Sequence, residues 1–183
     1  IKHYLDSLVF VKWLENYYPN EDICLADLGT GAGFPGIPIK IMIPRVNVVL
    51  IDSLGKRIKF LDQLIENLRL SDIHTFHARA EDIGRDKNHR EIYDVVVARA
   101  VAELPVLLEY CAPLLKDGGR FFAAKGVDPK KEIDDAKRAL DLLNCQVEYF
   151  LKYRLAAGAD YRSLIIVNKI GQMSSKYPRQ AGK

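Results

Sequence analysis

The sequence predicts an α/β fold of Rossmann-like type: a mostly parallel seven-stranded sheet with helices on both faces and an antiparallel edge strand. Three observations predict it. Apolar runs of β character alternate with amphipathic helical segments, and such alternation requires right-handed crossovers between parallel strands. The first run, Ile23 to Leu28, passes directly into a loop carrying Gly29, Gly31, Gly33 and Gly36. The last two β-like runs have no helix between them, so they should pair antiparallel at one edge.

Tyr4 to Tyr17, within a lead-in helix at 1–20, has Leu5, Leu8, Val9, Val11 and Leu14 at helical spacing. After the first strand and the glycine loop, a helix from about Pro35 to Ile43 stops at Pro44. The second strand, Val46 to Ile51, carries Asp52 at its carboxyl end, and Arg57 to Leu70 places Ile58, Leu61, Leu64, Ile65 and Leu68 on one helical face. Ile73 to His77 and Ile92 to Ala98 are the third and fourth strands, with Arg99 at the end of the fourth. Leu104 to Leu115 is the next helix, and Asp117-Gly118-Gly119 turns into strand five, Arg120 to Lys125. A helix at Pro129 to Leu143 and strands at Val147 to Tyr153 and Ser163 to Lys169 complete the pattern. Residues 1–183 are expected to form a single domain ending in a basic tail, 171–183.

The glycine loop is the best lead to chemistry, because glycine reaches positive φ and lets a ligand touch the main chain. Gly31, Gly33 and Gly36 match G-x-G-x-x-G, and Asp52 stands about twenty positions on, where a dinucleotide fold places its ribose-binding acid. Two details argue against a pyrophosphate. Pro35 lacks a backbone N–H where phosphate would need one, and Phe34 adds bulk where the backbone should be bare. Asp27 adds a negative charge that repels a diphosphate and attracts a cation. A ribosyl ligand with a positive centre, S-adenosylmethionine, fits better, while a nicotinamide-dependent oxidoreductase stays open.

Composition narrows the class. The hydrophobic share of 49% suits one core, and no stretch is long and apolar enough to span a membrane. Cys24, Cys111 and Cys145 are odd in number, widely spaced and set among apolar residues, so reduced core thiols in a cytoplasmic protein are expected. The histidines lack metal-ligand spacing, and no metal is expected. A net charge of +3 implies little about nucleic acid. Its distribution says more: basic clusters occur at Lys56, Arg57 and Lys59, at Arg85, Lys87 and Arg90, and in the tail at Lys176, Arg179 and Lys183.

Ligands in such sheets sit outside the carboxyl ends of the strands. There the sequence puts Gly29, Gly31 and Phe34 after strand one, Asp52, Ser53 and Leu54 after strand two, and Ala80, Glu81 and Asp82 after strand three. Arg99 ends strand four, and Lys125 and Gly126 end strand five. Asp52 can accept two ribose hydroxyls, although an Asp at a strand-to-helix turn is also a common helix N-cap. Glu81, or backbone beside Ala80, can receive an adenine amino group. Arg99 is a candidate pocket organiser or one half of a structural ion pair with Asp94 or Glu103.

HYLDSL at His3 to Leu8, DLGTGAGFPGIP at Asp27 to Pro38, DSLGKRIKFL at Asp52 to Leu61, RAE at Arg79 to Glu81, ARAVAEL at Ala98 to Leu104 and YPR at Tyr177 to Arg179 resemble the bacterial 16S ribosomal RNA guanine-N7 methyltransferases, the glucose-inhibited division protein B group. The resemblance runs in register over almost the whole chain, and in its opening motif His3, Asp6 and Ser7 are expected either to pack over the cofactor or to cap the lead-in helix. It implies a class I S-adenosylmethionine-dependent methyltransferase fold, methyl transfer to a guanine of 16S ribosomal RNA, and cofactor contacts at Gly29, Phe34, Asp52, Ser53, Leu54, Ala80, Glu81 and Arg99. Relative to that family the chain begins late and stops a few residues past Gly182.

Guanine N7 has a free lone pair and no proton to lose, so positioning matters more than a base, and no catalytic residue is expected. The Ala98-Arg99-Ala100-Val101 run lacks the Pro-Pro-aromatic motif of amine methyltransferases and the cysteine of carbon-5 enzymes. Lys125, Tyr177 and Arg179 are the RNA-binding candidates, with Phe34 and Tyr161 as further aromatics for an unstacked base. The partner implied is the small ribosomal subunit, its precursor or naked 16S ribosomal RNA, met by a monomer. A non-catalytic assembly factor would share the RNA but not the chemistry.

Overall fold

In the computed structural model, residues 2–99, 101–155 and 160–180 are described. Seven strands join one sheet: β1 (Cys24–Leu28), β2 (Asn47–Asp52), β3 (Ile73–His77), β4 (Tyr93–Arg99), β5 (Leu115–Lys125), β6 (Cys145–Tyr153) and β7 (Arg162–Lys169). Their spatial order is β3-β2-β1-β4-β5-β7-β6, with β1 to β5 parallel and β7 antiparallel to both its neighbours. The reversed strand is therefore one place in from the edge, and β6 lies outside it. The direction of strand numbering switches between β1 and β4, where such sheets open a crevice for ligands.

Helices cover both faces, and the strands answer with apolar residues on both sides. Along β4, Val95 and Val97 face one core while Val96 and Ala98 face the other. The first core receives α1 (Lys2–Tyr17), α2 (Gly36–Met42) and α3 (Gly55–Leu68); the second receives α5 (Leu104–Cys111) and α6 (Pro129–Leu142). Asp128 caps α6 by accepting from the Lys131 N–H, and Pro129 opens its first turn. The C-terminus of α3 ends in left-handed Arg69, whose N–H bonds back to Ile65 and Glu66 carbonyls. A four-residue helix, α4 (Ala80–Ile83), follows β3, with Glu81 and Asp82 in its first turn.

Two sequence expectations change. The buried stripe of α1 is Asp6, Ser7, Phe10 and Leu14, whereas Leu5 and Leu8 are exposed. Phe10 and Leu14 each gain roughly 2 to 3 kcal/mol by burial, which fixes the rotation of the helix and carries Asp6 inward. The helix expected to run to Leu115 ends at Cys111, continues as a 3-10 turn through Leu114, and gives way to β5. The Asp117-Gly118-Gly119 turn lies inside that strand as a register shift opposite Tyr93 and Val95. Gly118 has φ +79°, and a Cβ on Gly119 would lie 2.9 Å from the Lys116 carbonyl oxygen, so the kink requires both glycines.

Candidate active site

The β1–α2 loop is held by carboxylates beneath it. Asp52, 3% exposed, accepts from the Gly31 N–H at 2.9 Å through Oδ2 and from the Leu54 N–H at 2.9 Å through Oδ1. The half-exposed Arg57 guanidinium lies 3.1 Å from Oδ2. The N-cap of α3 is Leu54, so Asp52 organises the turn and does not cap the helix. Each oxygen retains acceptor capacity for a hydroxyl, since an ionised carboxylate offers about four lone-pair sites.

Asp27 is fully buried. Its Oδ2 accepts from the Thr30 hydroxyl at 2.6 Å and the Gly36 N–H at 2.8 Å, while Oδ1 has no partner among the described residues. Burial pushes its carboxyl up to about 6, against the lowering effect of those bonds and of the Arg99 charge.

All but one of the loop's donors have acceptors inside the protein; the exception is the N–H of exposed Ala32, which has none among the described residues. Gly29 and Thr30 N–H groups bond the Ile51 carbonyl, and those of Gly33 and Phe34 bond the Thr30 carbonyl. Gly31 is bound to Asp52, Gly36 to Asp27, and Pro35 has no N–H. A phosphate would find no nest of free donors here and would face carboxylates. Backbone conformation keeps the loop surface bare: Gly29 and Gly31 lie at φ +72° and +62°, and a Cβ on Gly31 would project into open space. A Cβ on Gly29 would come within 2.6 Å of Val101.

Above the ends of β1, β2 and β3 lies a cleft of about 320 Å³, lined by Gly29, Asp52, Ser53, Ala80 and Glu81 together with Leu28, Ile51 and Val101. That volume is in the range of small-ligand sites. Apolar walls and two carboxylates at the rim suit a ribosyl adenine carrying positive charge. Gly31 reaches the site through Asp52, and the Leu54 side chain stands exposed beside it.

Phe34 and Arg99 lie on the other side of β1. Phe34 packs against His3 and Tyr4 of α1, and the Arg99 guanidinium sits 5.3 Å from its ring centroid. Arg99 also lies 3.8 Å from Asp6 and donates to the His3 carbonyl. Asp6 is thus the ion-pair partner, in place of Asp94, which holds Lys116 and the Cys24 N–H, or Glu103. Burial draws the Arg99 pKa downward, and nearby Asp27 opposes this. A second cavity of about 380 Å³ opens at the ends of β4 and β5, lined by His3, Asp6, Arg99, Lys125, Tyr153 and Arg162, among others. Sequence reasoning did not assign Tyr153 or Arg162, and only Asp6 had a readable signal: it falls four and eight positions before Phe10 and Leu14 on the buried stripe.

The expected RNA contacts are placed differently. Lys125 is nearly buried, paired with Glu132 at 3.0 Å and donating to the Ala102 carbonyl, so its charge is already satisfied. Tyr177 is 8% exposed and belongs to the core beside α5, which removes it as a stacking platform. Arg179 makes a bidentate pair with Glu109, and burial opposes the drop that Arg179 imposes on the Glu109 pKa. Tyr161 is exposed, with the Arg154 guanidinium 4.7 Å from its ring centroid. Ala100 and Lys183 lie outside the described residues. Among the described residues no cluster of side chains could hold a metal ion, and no helix is long and apolar enough to cross a membrane.

A family model described as rRNA small subunit methyltransferase G matches residues 1–158. A protein of that name from Desulfitobacterium hafniense is 47% identical over all of this chain and 74% of its own length. One from Acetivibrio thermocellus is 48% identical, again over the whole chain and 74% of its length. Among solved structures, M. jannaschii TYW2 in complex with AdoMet superposes with a TM-score of 0.66 at 16% identity, covering 88% of this chain and 74% of that one. At that identity the likeness shows the fold.

Proposed function

The chain belongs to the rRNA small subunit methyltransferase G family, GidB, and from that premise we propose that it transfers the methyl group of S-adenosylmethionine to N7 of a guanine in 16S ribosomal RNA. The observation that carries the cofactor half is the glycine loop, whose N–H groups at Gly29, Thr30, Gly31, Gly33, Phe34 and Gly36 turn inward onto Ile51, Thr30, Asp52 and Asp27. That loop accepts a nucleoside against bare backbone and offers a pyrophosphate a single uncommitted N–H, that of Ala32.

In this reading Asp52 takes the ribose hydroxyls, Glu81 and the Ala80 backbone take the adenine, and Gly29 and Gly31 let the ligand approach the main chain. Ser53 lines the same cleft, and Leu54 covers its rim. Bound there, S-adenosylmethionine supplies an electrophilic methyl on a positively charged sulfur. The protein contributes position: Phe34, Arg99 and α1 wall the side from which the base arrives, and no side chain has to move a proton. Lys56 and Lys59, exposed at the start of α3 beside the cleft, are placed to meet RNA phosphates, a role the committed charges of Lys125 and Arg179 leave to others. The protein acts as a monomer in the cytoplasm, where small subunits are assembled.

Methyl-labelled S-adenosylmethionine supplied with small subunits from cells lacking this activity tests the reading. Label should enter 16S ribosomal RNA, and borohydride followed by aniline should cleave the chain at one guanine. Incorporation without that cleavage would exclude N7, and the absence of incorporation would exclude the activity.

A further inference from the structure

We propose that the second cavity receives the target guanine and that Asp6 reads it, an inference that rests on the guanine-N7 reading above. The sheet order separates two openings. The cofactor cleft lies over β1, β2 and β3, and the second cavity over β4 and β5, with Arg99 at the boundary. At about 380 Å³ the cavity has room for a purine.

Its chemistry matches one base. Asp6 is 2% exposed on a helix face otherwise occupied by Ser7, Phe10 and Leu14, a costly place for a carboxylate. Arg162 and Arg99 both approach its Oδ2 and fix its direction. Among the described residues its Oδ1 has only the Tyr153 hydroxyl, at 3.4 Å, well beyond the usual O–H···O distance. The other carboxylate of the cavity, Glu132, is spent, with Oε1 on Lys125 and Oε2 on the Leu104 N–H. Asp6 Oδ1 is therefore the acceptor left for a ligand.

Guanine presents two donors, N1–H and the N2 amine, on its Watson–Crick edge, the acceptor N7 on its Hoogsteen edge, and the O6 acceptor at the corner between them. With N7 turned toward the cofactor cleft, the donor edge turns to the wall built by α1 and meets Asp6. Adenine would bring the N1 lone pair against the same carboxylate. The reaction adds a second reason. As the N7–CH3 bond forms and the S–CH3 bond breaks, its electron pair stays on sulfur and the positive charge moves to the purine. No proton is transferred, and a carboxylate hydrogen-bonded to N1–H steadies that charge.

The test is a cycle of enzyme and substrate changes. Small subunits are reconstituted with guanosine or inosine at the target position, since inosine lacks only the N2 amine, and methylated by wild type and Asp6→Asn. Wild type should prefer guanosine by about tenfold or more, the usual worth of a hydrogen bond to a charged acceptor. In Asp6→Asn that preference should collapse toward one, with S-adenosylhomocysteine affinity unchanged. Anisotropy with S-adenosylhomocysteine bound should show the same loss of discrimination in RNA affinity, a readout independent of turnover. Equal handling of the two substrates by wild type, or a preference that survives in Asp6→Asn, would overturn the role of Asp6. Wild type that binds S-adenosylhomocysteine but methylates neither substrate would instead sink the proposed reaction.

Discussion

Asp27→Asn separates the cost of burying a charge from the cost of altering hydrogen bonds. Burial holds the carboxyl at about 6, against 3.8 for the free side chain. Between those values the folded protein keeps a proton that the unfolded chain has lost. Stability from this group is therefore present at low pH, falls as pH rises from about 4 to about 6, and stays lowered above that. The full penalty is about 3 kcal/mol, and about 2 kcal/mol of it accrues between pH 4 and pH 8. Asparagine retains an oxygen for the Thr30 hydroxyl and the Gly36 N–H and carries no charge. Its amide nitrogen replaces the partnerless Oδ1 at a cost of about 1 to 3 kcal/mol, the same at every pH. Urea unfolding of both proteins at pH 4 and pH 8 cancels that constant. The difference in unfolding free energy should shift toward the variant by about 2 kcal/mol at the higher pH. A difference that does not change with pH would refute the reasoning.

Gly31→Ala should cost roughly 1 to 2 kcal/mol of stability, because φ is +62° and the added Cβ meets nothing. In the same variant S-adenosylmethionine affinity, followed by calorimetry, should fall more than about tenfold as the methyl enters the ligand's space; unchanged affinity would move the site elsewhere. Gly29→Ala should lose more stability than Gly31→Ala in urea unfolding, since its Cβ also strikes Val101 at 2.6 Å. Tyr177→Ala should destabilise by about 3 kcal/mol through cavity formation, whereas Arg179→Ala, at an exposed guanidinium, should cost much less. Thermal unfolding of the pair checks this, and the reverse order would show that the tail is not packed as described.

Much of the fold was readable because the parallel strands are apolar on both faces and each helix carries one stripe. β3 was read to the residue, and the other strands to within a few residues apart from β5. That strand begins five residues earlier than expected, since Gly118 and Gly119 read as a turn but form a bulge whose register depends on Tyr93 of β4. The grouping of Gly29, Asp52, Ser53, Ala80 and Glu81 around one cleft was legible for a local reason: each stands at or just past a strand end, and such ends gather along one edge of a parallel sheet. The second cavity was not, because Asp6, Arg99, Tyr153 and Arg162 meet only after α1 folds across the ends of β4 and β5. Basic residues misled for a related reason. Lys125 and Arg179 look free in sequence, but their carboxylate partners, Glu132 and Glu109, come from α6 and α5.

What the functional reading rests on is a glycine loop, braced by Asp52 and with one uncommitted donor at Ala32, that binds a sulfonium nucleoside. Titration calorimetry of the folded protein with S-adenosylmethionine, S-adenosylhomocysteine and NAD tests it most directly. The account predicts one-to-one binding of the first two, none of NAD, and a loss of about a hundredfold or more in Asp52→Ala. Heat with NAD, or full affinity retained in Asp52→Ala, would contradict it.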